Sequence, residues 1–311
     1  MPAAPLPPYL ARRLADGLTY VTRRDLASAG IDVSTLRAWR RAGFVTPYSY
    51  GAYGIVDPCA ADMDHFAARR LHHVRRCEAL LQTLPGAHLI GGSALVVHRL
   101  AVLRFPDRIE VARHPRVQSR RDDFVCRRAW GEAPEQVDGL GVQAAAEAAI
   151  EVAAHEGLRA GVVSADSYLF EGGTPGELES ALVAYGRKAG VGQARAAVEL
   201  ADGAIESAGE SLLRLICRDA GIAVIPQVEI WDDESLPFAR VDFLVEGTRV
   251  VLEFDGMVKY THPEALRAEK RREIRLRRLG DVVVRFTWSD LSAPVRVVRT
   301  IREAMAVTRA A

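Results

Sequence analysis

The chain has 311 residues, 49% hydrophobic and 26% charged, with a formal net charge of +1. That length allows two or three domains and a sizeable core, and the composition is ordinary for a soluble globular protein. The charge excludes a uniformly basic protein but not a basic face. Cys59, Cys77, Cys126 and Cys217 form no CxxC pair, which argues against a zinc ribbon and reads as buried free thiols of a reducing compartment. The start, "MPAAPLPPYLARRLA", lacks the apolar core of a secretory signal, and no apolar run reaches the roughly 18 residues of a membrane helix. The expectation is a cytoplasmic protein without a membrane partner.

After a Pro-rich arm comes "GLTYVTRRDLASAGIDVSTLRAWRRAGFVTPYSYGAYGIVDP". Thr22 is placed to cap a helix over 23–29 that Gly30 ends. Ser34 is placed to cap a second helix that Gly43 ends. "FVTPYSYGAYGIV" then reads as a short hairpin. Helix, helix, hairpin is the order of a winged helix-turn-helix, whose second helix enters the major groove. That helix carries Arg37, Arg40 and Arg41, the candidate DNA-binding side chains. The competing reading of the same arginines is a solvated face.

Residues 62–84 read as a basic helix. "AHLIGGSALVVHRLAV" reads as a Gly-Gly-Ser turn into a helix, "DRIEVARH" and "DDFVCRRAW" as strands, and the stretch from 142 to 203 as successive helices. Residues 132–210 hold 14 acids against four bases, an unsuitable surface for tracking phosphates. Histidines at 65, 72, 73, 88, 98, 114 and 155 show no HExxH-like spacing. The boundaries that result are 1–60, 61–205 and 206–311. The fold class is α+β and multidomain: a winged helix-turn-helix, an α/β middle domain, and a C-terminal α/β domain with a mixed sheet.

The last segment carries the chemistry. "RVDFLVEGTRVVLEFDG" reads as two strands joined by Gly247-Thr248, with Gly247 first in a type II′ turn. This register sets Phe243 opposite Leu252 and Asp242 opposite Glu253. Alternation then makes one face wholly apolar (Val241, Phe243, Val245, Val250, Leu252, Phe254) and gathers Asp242, Glu253 and Asp255 on the other. Facing carboxylates destabilise a ladder, and ionised groups in a sheet core are costly unless paired or bound to a metal. Mg²⁺ or Mn²⁺, hard ions that take oxygen ligands, would reconcile them; pairing with the many arginines is the alternative. Lys259 is the local cation for a phosphate or an attacking water. Glu206 and Glu210, four apart, are read on one face of the preceding helix. "RAEKRREIRLRR" follows, with Lys270 and Arg271 as candidate phosphate contacts.

Asp242, ten residues, then Glu253-Phe254-Asp255 resembles the PD-(D/E)XK nuclease signature. Residues 206–292 resemble more specifically the family related to very-short-patch-repair (Vsr-like) endonucleases, through "ESLLRL", "RVDFLV", "VLEFDG", "EKRREIRLRRLG" and "VVVRFTW". "YVTRRDLASAGIDVSTLRAWRRAGFV" with "GAYGI" resembles the winged-helix domain of AbiEi-family antitoxins, and "GGSALVVHRLAV…VDGLGV" the linker domain between such modules. The resemblance implies a restriction-endonuclease-like C-terminal domain and a DNA substrate. It implies Asp242 and Glu253 as catalytic metal ligands, with Glu210 and Asp255 in support. Asp255 departs from the pattern by standing where the motif lysine belongs, and Lys259 is the candidate replacement. The leading expectation is a metal-dependent DNA endonuclease without an organic cofactor. The alternatives are a non-catalytic antitoxin-type regulator with a toxin or other protein as partner, or an interaction module on a decayed nuclease fold.

Overall fold

The computed structural model describes residues 5–49, 51–56, 64–113, 119–120, 122–231, 237–256 and 263–310. The chain is α+β and divides into two compact units, Met1–Val152 with Leu178–Val191, and Ala153–Glu177 with Gly192–Ala311. No described helix is long and apolar enough to cross a membrane.

The first unit opens with α1 (Pro8–Ala15), β1 (Tyr20–Thr22), α2 (Arg23–Ser28), α3 (Val33–Arg41), β2 (Val45–Ser49) and β3 (Ala52–Ile55). The three strands form an antiparallel sheet in the order β1-β3-β2. Thr22 caps α2: its hydroxyl accepts from the Asp25 N–H at 3.1 Å, and the Asp25 carboxylate accepts from the Thr22 N–H at 2.9 Å. Gly30, with φ +68°, closes that helix. The second cap differs from the sequence reading. Asp32, not Ser34, accepts the Thr35 N–H (2.8 Å), and the Ser34 hydroxyl donates to the same carboxylate. A carboxylate is the stronger acceptor at a helix start, and it begins the helix earlier. Leu10, Val21, Leu26, Leu36, Val45, Tyr53 and Ile55 form the core beneath.

The same unit continues through α4 (His65–Thr83), β4 (Ala87–Leu89), α5 (Gly91–Val97), β5 (Ile109–Arg113), β6 (Ser119–Arg120), β7 (Phe124–Arg127), β8 (Glu135–Val137), β9 (Leu140–Val142) and α6 (Ala145–Glu156), whose end passes into the second unit. Its six strands pair in the order β6-β7-β5-β4-β9-β8. Cys77 and Cys126 are buried free thiols here, as Cys217 is in the second unit; Cys59 lies outside the described residues.

Three helices follow, α7 (Leu158–Phe170), α8 (Pro175–Tyr185) and α9 (Val191–Leu200). Then come α10 (Ala208–Asp219), β10 (Val224–Trp231), β11 (Pro237–Val245), β12 (Val250–Phe254), α11 (Pro263–Arg278), β13 (Val282–Phe286), α12 (Trp288–Leu291) and α13 (Pro294–Ala310). The sheet order is β10-β11-β12-β13; its first two pairings are antiparallel and its last is parallel, so the sheet is mixed. Pro226 falls on the edge strand β10, where a missing N–H is tolerated.

Phe243 faces Leu252, the register read from the sequence. The turn that sets it is different. Thr248 N–H donates to Val245 O at 3.1 Å, which puts Gly247 (φ +68°) third in the turn and leaves residues 246–249 between the strands. The wholly apolar face is also corrected. Phe243, Val245, Val250 and Leu252 pack on one side with Leu213, Ile216 and Ile301. Val241, with Ala239 and Val251, packs with Leu276 in a separate cluster. The alternation breaks between Val241 and Phe243, and β10 breaks with it, since Val224 belongs to the first cluster and Val228 to the second. Between the pairs Pro226–Phe243 and Val228–Val241 stand Gln227, at φ +52°, and Asp242.

Candidate functional site

The break in alternation is where the acidic side chains gather. Asp242 Oδ2 accepts the Phe254 N–H at 2.7 Å, which ties it across to β12. Burial pushes the Asp242 carboxyl above its ordinary range; the Phe254 N–H opposes the rise and Glu253 adds to it. Glu210, buried in the first turn of α10, is likewise raised by burial, with the Ser207 hydroxyl opposing and Asp242 adding. Its Oε2 accepts from Gln227 Nε2 at 3.1 Å and from the Glu206 N–H at 3.2 Å. Glu206 is not on the helix, as its spacing suggested. It precedes the Ser207 cap and forms an ion pair with Arg240. Four carboxylates from a helix start and two strands therefore lie in one electrostatic neighbourhood.

Gln227 is the member sequence reasoning missed. A non-glycine residue at positive φ costs of order 1–3 kcal/mol, and such strain is concentrated at functional positions. Here the strained residue donates directly to a buried glutamate. The sequence offered one signal, an amide next to a proline inside a strand.

Glu253 is 7% exposed and lies between two arginines. Arg285 Nε donates to Oε2 at 2.9 Å, and Arg272 Nη2 lies 2.8 Å from Oε1. Asp255 follows the end of β12, partly buried, with its N–H donating to Phe286 O. Lys259 lies outside the described residues. Among the described residues no group of three or more His, Cys, Asp or Glu side chains is arranged to hold a metal ion. The oxygen donors suit Mg²⁺ or Mn²⁺ in kind, but with Glu253 committed to guanidinium groups their placement does not fit one.

On the candidate nucleic-acid helix α3, Arg37, Arg40 and Arg41 are all exposed, while Leu36 enters the core and Arg40, one turn on, lies over the Tyr53 ring 6.0 Å from its centroid. Trp39 does not share that face: it stacks on Tyr9 at 6.4 Å. Arg37 and Arg40 line a cleft of about 540 Å³ with Arg23, Ile31 and Tyr53. On α11, Lys270 and Arg271 are exposed, whereas Arg275 lies over the Phe238 ring at 4.4 Å.

A second polar network was not foreseen. Glu110 Oε2 accepts the Gly92 N–H (2.7 Å) and Gln143 Oε1 the Gly91 N–H (3.1 Å), so side chains from elsewhere satisfy the start of α5. Arg127 bridges Glu110 at 2.8 Å and Glu151 at 3.4 Å, and Trp130 Nε1 donates to Glu151 at 2.6 Å. Such mutual satisfaction is what buried polar groups require, and it gives these residues a structural role.

No protein-family model matches the chain, and no curated protein matches it. Among solved structures, the crystal structure of the RV2827C protein from Mycobacterium tuberculosis is similar at 20% identity and a TM-score of 0.41, covering 64% of this chain and 80% of that one. A likeness at that level assigns no function.

Proposed function

We propose that the chain is a DNA-binding protein whose N-terminal segment is a winged helix-turn-helix. The observation that carries this reading is α3, which turns Leu36 inward and holds Arg37, Arg40 and Arg41 in solvent after a capped α2 and before the β2–β3 hairpin. Each guanidinium that neutralises a phosphate releases condensed counterions, so log K falls with log salt by about 0.9 per contact. Replacing all three arginines by Gln should lower the slope by up to about 2.7 and weaken duplex binding at low salt. Anisotropy of a labelled duplex over a KCl series measures both. An unchanged slope would remove α3 as the DNA reader.

A second reading, a divalent-metal-dependent endonuclease, draws on Asp242, which feels the charge of both Glu210 and Glu253 beside the strained Gln227, and it requires Glu253 to leave Arg272 and Arg285 before an ion could be held. Nicking of supercoiled plasmid with Mg²⁺ tests it. Equal nicking by wild type and Asp242→Ala would discard it, and absence of nicking with either Mg²⁺ or Mn²⁺ would leave the non-catalytic regulator.

A further inference from the structure

The surroundings of Glu253 are unusual for a plain structural ion pair. Two guanidinium groups from different elements, Arg285 on β13 and Arg272 on α11, converge on one buried carboxylate. Only one oxygen is well served: Oε2 receives the Arg285 Nε–H, whereas Oε1 is buried with Arg272 in ion-pair range but no hydrogen bond directed at it. Arg285 Nη1 reaches Glu273 at 3.1 Å, and Glu273 is paired in turn with Arg277. The two arginine side chains keep 28% and 33% of their surface in solvent while the side chain of Glu253 keeps 9%, so a ligand meets the guanidinium groups before the carboxylate.

A planar guanidinium fork suits carboxylate and phosphodiester oxygens alike. We propose that Arg272 and Arg285 form a phosphate-binding pair for which Glu253 is the resting partner, exchanged for the phosphodiester of a bound nucleic acid. The proposal rests on the DNA-binding reading above, and it places a second phosphate contact in the C-terminal unit.

The test uses the full chain in EDTA, in a background with Arg37, Arg40 and Arg41 replaced by Gln. Glu253→Gln removes the competing charge and keeps the shape. The expected result is tighter binding of a fluorescein-labelled duplex at low salt and a salt slope steeper by about 1–2. Adding Arg285→Gln should cancel about one unit of that gain. A slope unchanged by Glu253→Gln overturns the proposal. The wild-type chain supplies a measurement that needs no destabilising variant. The Arg285 Nε–H signal, assigned through Arg285→Lys, should shift when duplex or inorganic pyrophosphate is added; a signal unmoved by saturating duplex and by pyrophosphate overturns the pair. Should the wild-type chain bind no duplex, the DNA-binding reading falls, and the pyrophosphate titration alone decides the pair.

Discussion

Gly209 sits in the first turn of α10, against the strand that carries Glu253. A β-carbon at Gly209 would lie 2.0, 2.2 and 2.3 Å from three atoms of the Phe254 ring, where carbon contacts normally stand at about 3.5–4.0 Å. The ring's edge-on contact with Trp288, centroids 5.1 Å apart, limits how far it can give. Two effects of Gly209→Ala oppose each other. Helix propensity favours alanine by up to about 1 kcal/mol, less in a first turn, while overpacking a fitted site costs about 1–3 kcal/mol. Overpacking wins, with a net loss of about 1–2 kcal/mol. At an m-value near 2 kcal/mol/M this lowers the urea midpoint of the C-terminal unit by roughly 0.5–1 M. Circular dichroism reads the transition, with the fluorescence of Trp288 followed in a background where Trp39, Trp130 and Trp231 are replaced by Phe. Relief by Phe254→Leu in the double variant would tie the loss to this contact. A midpoint that rises in Gly209→Ala would show that propensity prevails and that the close approach of α10 to β12 is wrong.

Asp242→Asn should make the protein more stable at pH 7 and flatten its pH dependence. A partly buried carboxyl raised in the fold contributes stability that is complete below the ordinary carboxylate range, about pH 4, and lost as pH rises through the raised value. Asparagine keeps an oxygen for the Phe254 N–H, so a variant less stable than wild type at pH 7 in urea titrations would contradict this. Asp166, 1% exposed, accepts from the Ser211 hydroxyl, Arg214 and the Asp202 N–H at 2.7–3.0 Å. Asp166→Ala strands Arg214 and should cost about 3–5 kcal/mol, and an urea-measured loss below 1 kcal/mol would show that the pair is dispensable.

The order of elements from 206 onwards was legible because its strands are short, apolar and bounded by glycine, and because Gly221 marks a helix end; the Ser207 cap, which leaves Glu206 outside the helix, was not read. The Phe243–Leu252 register was legible for the same reason, and a four-residue connection gives the same pairing as the shorter turn expected. What escaped were features that exist only between strands. The concerted break at Gln227 and Asp242 moves Val241 to the other face, and strict alternation has no means of signalling it. Glu253 carries a charge in an apolar run, which the sequence shows; that Arg272 and Arg285 reach it from 19 and 32 positions away is a product of the parallel β12–β13 pairing and the helix laid across it. On α3 the arginines were legible individually, but the inward turn of Trp39 depends on Tyr9 in a different helix.

Among the described side chains of α11 only Leu276 is fully buried; most of the others are solvated or held by charge. The stretch 270–278, held by one apolar anchor and by ion pairs, separates from its sheet at a smaller free-energy cost than the strands separate from one another. Raising ionic strength weakens the more exposed part of those ion pairs and leaves the anchor intact. Amide exchange along 270–278 should therefore quicken with added KCl while that of 250–254 stays slow, giving the C-terminal unit a helix that responds to ions on a frame that does not.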